Sequence, residues 1–280
     1  MIERSLLCLG PQQFHRLAYA EWPGPSAART LVCVHGLTRN GRDFDRLAEA
    51  LSAHFRVICP DMAGRGKSDW LPPTEDYGYP LYLADITALL ARLDVAEIDW
   101  LGTSMGGIIG MLLAALPGAP IRRLVVNDVG AVVAKEGLER IARYVGHDPS
   151  YADLDALEAS LRRVAAPFGP LSDDQWRHLA SHSMRIKPDG SIGFACDPRI
   201  GAELRNGSPA DIDFWPQWDA IRSPALILRG AESDILRRAD AEAMTRRGPP
   251  ARVVEFPGIG HAPMLMAADQ IAAIRDFLLG

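Results

Sequence analysis

Ser104 stands in Gly102-Thr103-Ser104-Met105-Gly106-Gly107, between the apolar run Ile98 to Leu101 and the helix-forming stretch Ile108 to Leu116. A G-x-S-x-G spacing between a strand and a helix marks a turn that lifts a serine hydroxyl clear of a sheet. It aims that hydroxyl at a helix start, whose free N–H groups favour an incoming negative charge. A serine hydroxyl is a poor nucleophile near neutral pH and needs a base within hydrogen-bond reach. Of seven histidines, His261 is the best placed. It closes Pro257-Gly258-Ile259-Gly260-His261, a glycine-flanked loop that follows a strand pattern. In open α/β sheets the strand carboxyl ends gather at one edge, where His261 and Ser104 would converge.

The imidazole in turn needs a carboxylate to fix its tautomer and stabilise its charged form. Asp234 is the leading candidate, in Gly230-Ala231-Glu232-Ser233-Asp234 just after the apolar run Ala225 to Leu228. Two competitors exist. Asp128 closes the strand pattern after the nucleophile helix, and Glu232 lies two residues before Asp234. Attack on a carbonyl builds negative charge on its oxygen, which preorganised backbone N–H groups must meet. The N–H groups of Met105 and of Leu37, in His35-Gly36-Leu37-Thr38, are the expected donors. His35 reads as a residue that ties this loop by a hydrogen bond.

The elements that must bring these residues together can be read from apolar patterning. Residues 5–9 and 14–21 suggest an opening hairpin. A continuous apolar run at 30–34 suits a strand buried on both faces of a parallel sheet, and 55–59, 98–101, 121–128, 225–228 and 252–256 read as further strands. Helical patterns fall between them, near 43–53, 81–93, 108–116, 238–247 and 267–279. The alternation breaks from Ala131 to Gln217, where helical patterns near 134–145, 153–165 and 172–184 precede a loop-rich tail. The expected class is therefore α/β, a mostly parallel central sheet with helices on both faces and an inserted helical segment. The core would comprise residues 1–130 and 218–280, and the insertion residues 131–217.

Bulk properties narrow the function. The chain has 280 residues, 48% of them hydrophobic, enough for one large domain with an insertion. A net charge of −5 gives no reason to expect a nucleic-acid or anionic-membrane partner. No apolar run reaches membrane-spanning length, and Met1-Ile2-Glu3-Arg4-Ser5 lacks the pattern of a secretory leader. The four cysteines are far apart, and Cys33 and Cys59 sit in apolar runs, so neither a disulfide frame nor a metal site is expected. A cytoplasmic location is the default, with no cofactor and no metal.

Four motifs in order, His35-Gly36-Leu37, Asp61-Met62-Ala63-Gly64-Arg65-Gly66-Lys67-Ser68, Gly102 to Gly107, and Gly230…Asp234 with Gly260-His261, cover nearly the whole length. With them the chain resembles the α/β-hydrolase superfamily, in particular bacterial serine carboxylesterases and enol-lactonase-like members. The resemblance implies a Ser104–His261–Asp234 triad, a Leu37/Met105 oxyanion hole and a lid formed by the insertion. It gives Asp61, Arg65 and Ser68 an architectural role. Haloalkane dehalogenases and epoxide hydrolases of this fold carry aspartate where this chain has Ser104, which disfavours both. The expected partner is a small-molecule ester or lactone, most simply a mainly apolar ester. Arg39 and Arg42 read as solvated surface charges. A lactonase or C–C bond hydrolase is the alternative in the same class, and a slow-turnover ligand binder the alternative in another.

Overall fold

The computed structural model describes residues 1–72, 77–207 and 210–280, the side chains of Glu203 and Asn206 excepted. Residues 208–209, within the expected insertion, lie outside the described residues. The apolar runs build an eight-stranded sheet. Its strands are β1 (Ile2–Leu9), β2 (Phe14–Trp22), β3 (Arg29–Val34), β4 (Phe55–Pro60), β5 (Ile98–Thr103), β6 (Ile121–Asn127), β11 (Ala225–Gly230) and β12 (Ala251–Phe256). Their spatial order is β1-β2-β4-β3-β5-β6-β11-β12. β2 runs antiparallel to both β1 and β4, and every later pairing is parallel.

Successive residues of a strand point to opposite faces, and here each face has its own apolar core. Val32 and Val34 of β3 join Trp100, Leu124, Val126 and Ile227 on one face, whereas Leu31, Cys33, Leu101, Val125 and Leu226 join the other. Both faces being covered, the central strands β3 and β11 are almost wholly apolar, as in Leu31-Val32-Cys33-Val34 and Ala225-Leu226-Ile227-Leu228. Helices α2 (Tyr79–Leu93) and α3 (Met105–Ala114) cover the first face, and α1 (Asp45–Leu51) and α10 (Ala268–Leu279) the second. Leu31 and Leu47 are wholly buried in that second core. Truncating either to alanine costs roughly 2–5 kcal/mol.

Between β6 and β11 the chain leaves the sheet. It forms β7 (Val132–Val133), α4 (Lys135–Ala142), α5 (Leu154–Val164), α6 (Asp173–Ser183), β8 (Met184–Ile186), β9 (Ile192–Phe194), α7 (Ala202–Asn206), β10 (Ile212–Asp213) and α8 (Trp215–Ala220). Helix α9 (Arg238–Met244) follows β11. The helical patterns of the sequence recover α4, α5 and α6. The loop-rich tail instead holds a β8–β9 hairpin, with Met184 opposite Phe194, and the short helices α7 and α8. Three-residue strands are too short for a period to register. The turn joining them carries Gly190 at φ +85°, and Asp189 Oδ1 accepts the Ser191 N–H at 3.0 Å.

A third apolar cluster joins α5 and α6 to the His261 loop, through Leu157, Leu161, Trp176 and Leu179 with Met264 and Met266. Phe168 stacks on Trp176, and Tyr151 meets Phe194 edge-on. Tyr144, Phe214, Trp215 and Trp218 pack instead on the main core. Backbone bonds from Gly66 N–H to Ala195 O (2.9 Å), Asp197 N–H to Gly64 O (2.8 Å) and Gly260 N–H to Pro167 O (2.7 Å) tie the segment to the sheet-edge loops.

Candidate active site

Ser104 sits between β5 and α3 with φ 52° and ψ −115°, a conformation that costs an L-residue energy and persists only where its surroundings impose it. The glycines around it impose it by close approach. A Cβ on Gly102 would strike the Gly106 backbone, and one on Gly106 would strike the Val34 carbonyl of β3. The Ser104 N–H is held by Asn127 O at 2.9 Å, so the end of β6 helps fix the turn. α3 starts at Met105, directly after the serine, rather than at Ile108.

His261, at the end of the loop after β12, points into this turn. Its Nε2 lies 3.0 Å from Ser104 Oγ and its Nδ1 lies 2.8 Å from Asp128 Oδ2. The Asp128 side chain is wholly buried and accepts two further hydrogen bonds, from Gly230 N–H at 2.8 Å and from the Ser233 hydroxyl at 2.6 Å. Asp128 itself has φ 56°, which turns its carboxylate inward from the strand end. Three donors around two oxygens fix the orientation of the carboxylate.

The expectation that Asp234 would meet His261 is therefore corrected. Asp234 receives a bidentate pair from Arg140 of α4, at 2.5 and 2.9 Å. Burial raises its pKa, but the Arg140 hydrogen bond and charge outweigh this and hold it below the usual carboxylate value. Glu232 is exposed, and its N–H donates to Ile259 O at 2.9 Å. The Gly230–Asp234 segment does serve the site, by supplying the Gly230 and Ser233 donors to Asp128. Ser233 and Asn127 were not anticipated. Asn127 Nδ2 donates to Thr103 Oγ1 and to Pro263 O, linking the nucleophile strand to the histidine loop. The signal for both Asn127 and Asp128 is a polar pair directly after the apolar run Leu124-Val125-Val126.

Leu37 lines the same cavity as Ser104, and Met105 is the next residue in the chain. Met105 opens α3, so its N–H has no intrahelical partner. Leu37 follows Gly36, where a Cβ would stand only 3.6 Å from Ser104 Cβ, which brings this loop against the nucleophile. His35 Nδ1 donates to Gly36 O at 2.7 Å and its Nε2 accepts the Met62 N–H at 2.9 Å. Burial pushes its pKa down to about 3, matching the neutral tautomer those two bonds require. Arg65, fully buried, donates to Leu37 O at 2.8 Å, to Ala63 O and to the Tyr82 hydroxyl. Asp61 accepts the Gly41 and Lys67 N–H groups, and the Ser68 hydroxyl bridges Asp61 O and Ala18 N–H. Arg39 and Arg42, expected as solvated charges, are instead tied into ion pairs with Asp43 and Asp45, and Arg39 also reaches Ser183.

A cavity of about 440 Å³ opens over Ser104 and His261, walled by Tyr144, Leu161, Val164, Phe168, Phe194 and Met264. A strained serine, a histidine and a buried acid thus stand in one hydrogen-bonded row at the carboxyl edge of the sheet, below this cavity. Residues 31–274 match the model of the alpha/beta hydrolase family, and the chain belongs to that family. It is 43% identical to a 3-hydroxybutyrate-oligomer hydrolase of Cupriavidus necator, over 98% of this chain and 96% of that one. An esterase of Escherichia coli is 27% identical over 89% of this chain and 92% of its own length. Among solved structures, an alpha/beta hydrolase from Novosphingobium aromaticivorans superposes with a TM-score of 0.88 at 37% identity, covering 99% and 98% of the two chains. Among the described residues, no helix is long and apolar enough to cross a membrane.

Proposed function

We propose that this chain hydrolyses short aliphatic carboxylic esters, oligomers of 3-hydroxybutyrate among them, through an acyl-enzyme on Ser104. The observation that carries this reading is the continuous hydrogen-bond path Ser104 Oγ–His261–Asp128 opening into a mainly apolar cavity. The substrate class follows from the Cupriavidus relative, and the cavity's aliphatic and aromatic walls suit methyl-branched ester units.

In the reaction, His261 Nε2 takes the Ser104 proton as Oγ attacks the ester carbon. The Leu37 and Met105 N–H groups receive the developing oxyanion. Asp128 holds Nδ1–H and stabilises the imidazolium, which then protonates the departing alkoxide oxygen. Water, deprotonated by His261, attacks the acyl carbonyl and releases the acid and free Ser104. The segment 131–217 acts as the lid that shapes the cavity. The Asp128 role departs from the Asp234 assignment suggested by the sequence, while Ser104, His261, Leu37 and Met105 keep theirs.

A fluorophosphonate probe with a substrate panel tests the reading. We expect one equivalent of label on Ser104, none on Ser104→Ala, and turnover of p-nitrophenyl butyrate and of a 3-hydroxybutyrate dimer. Labelling that survives Ser104→Ala would overturn the mechanism. Turnover confined to lactones or to C–C substrates would overturn the substrate class. Labelling without turnover of any ester would favour a ligand binder.

A further inference from the structure

Five charged side chains, Arg39, Asp43, Arg140, Arg143 and Asp197, and one histidine besides His261, His147, line the cavity. Four are neutralised within the protein. Arg39 and Asp43 pair with each other, Asp197 pairs with Arg199, and Arg140 pairs with Asp234. Arg143 differs. It caps the C-terminal end of α4, three residues after Arg140, and its exposed side chain has no carboxylate partner among the described residues. On a helix, residues three apart share a face, so the Arg140–Asp234 pair and Arg143 stand side by side along one wall.

We infer that Arg143 anchors a carboxylate carried by the substrate itself, so that the site prefers esters of hydroxyacids with a free acid end over neutral esters of the same length. This rests on the ester-hydrolase reading above. The bland account of Arg143 is a solvated charge that complements the α4 dipole. Its setting argues for more. Ile141, Tyr144 and Val164 line the same cavity with apolar surface, and a charge beside low-dielectric walls attracts an opposite charge more strongly than one on an open surface. Both acids facing the cavity already have partners, so the remaining fixed charge there is positive. A linear hydroxyacid oligomer offers the complementary pattern, an aliphatic ester body ending in one carboxylate. Guanidinium is also the group best shaped to take a carboxylate by two parallel bonds.

Arg143 is a specificity residue in this account and takes no part in bond cleavage. The test compares the 3-hydroxybutyrate dimer as free acid with its methyl ester, in the parent, Arg143→Gln and Arg143→Lys. The parent should favour the free acid. Arg143→Gln should shrink that preference in kcat/KM about tenfold, the scale of one charge-assisted hydrogen bond, with the change in KM and not in kcat. Arg143→Lys should keep much of the preference, and added salt should reduce it in the parent. An unchanged ratio in Arg143→Gln, or equal losses on both substrates, would overturn the anchor while leaving the esterase reading intact. A parent that labels on Ser104 yet cleaves neither dimer would overturn the substrate reading, and the anchor with it.

Discussion

At the residue scale, two aspartates at neighbouring strand ends divide the work. Asp128 leaves β6 and Asp234 follows β11, and these strands are hydrogen-bonded neighbours. Their carboxyl ends are thus only about one strand spacing, ~4.8 Å, apart at the edge. The sequence places both acids at that edge but cannot say which one turns inward. What decides is local: Asp128 at positive φ reaches His261 while Gly230 N–H and Ser233 Oγ brace it, and Arg140, from the insertion, captures Asp234. Arg140 lies far away in sequence, so its claim on Asp234 is invisible without the fold. Asp128→Asn should lower kcat by about 10⁴-fold, as removing a triad acid does elsewhere, because the wrong imidazole tautomer then faces the serine. Asp234→Asn should keep kcat within about tenfold of the parent, since it breaks an ion pair outside the proton path. Steady-state kinetics on p-nitrophenyl butyrate separates the two. The reverse ranking would restore Asp234 as the acid.

At the scale of elements, the nucleophile turn and the loop after β3 are built by contact. The G-x-S-x-G spacing was legible because the close approach of strand, turn and helix admits no side chain at Gly102 or Gly106. Gly106→Ala should push α3 away from the Val34 carbonyl and displace the Met105 N–H. A misplacement on the order of 1 Å costs roughly 10²-fold in rate, so fluorophosphonate labelling should slow by about that factor. Labelling at the parent rate in a folded Gly106→Ala protein would contradict this geometry. The loop itself depends on neutral His35. Its ordinary pKa of 6.5 falls to about 3 on burial, so the unfolded chain binds a proton that the folded chain refuses. The folded pKa being depressed, the His35 contribution is fully present above about pH 6.5 and is lost as pH falls toward 3. Urea midpoints measured across that window should decline less steeply in His35→Gln than in the parent. Parallel slopes would show that His35 does not titrate on unfolding.

For the whole molecule, the two-faced sheet was the most legible feature, since strands buried on both sides are mostly apolar along their length. The segment between β6 and β11 was legible as helices but not as a packed unit. Its hairpin strands are too short for a period, and its aromatic residues divide between two cores that only the fold separates. Trp176 is 6% exposed at the centre of the third cluster, which also holds Met264 and Met266 of the histidine loop. Trp176→Ala should therefore destabilise the protein by about 3–5 kcal/mol in urea unfolding. It should also lower turnover of the 3-hydroxybutyrate dimer more than that of p-nitrophenyl acetate, which needs less of the cavity wall. Equal effects on both substrates would show that the segment contributes stability without shaping the site.

The proposed mechanism requires a covalent intermediate at one serine. Rapid acid quench during turnover of p-nitrophenyl butyrate, followed by peptide mapping, measures it directly. The butyryl group should appear within the first turnover on the peptide carrying Ser104, at up to one equivalent per chain, and should be absent in Ser104→Ala. An acyl group found on another residue, or turnover by Ser104→Ala at the parent rate, would contradict the mechanism.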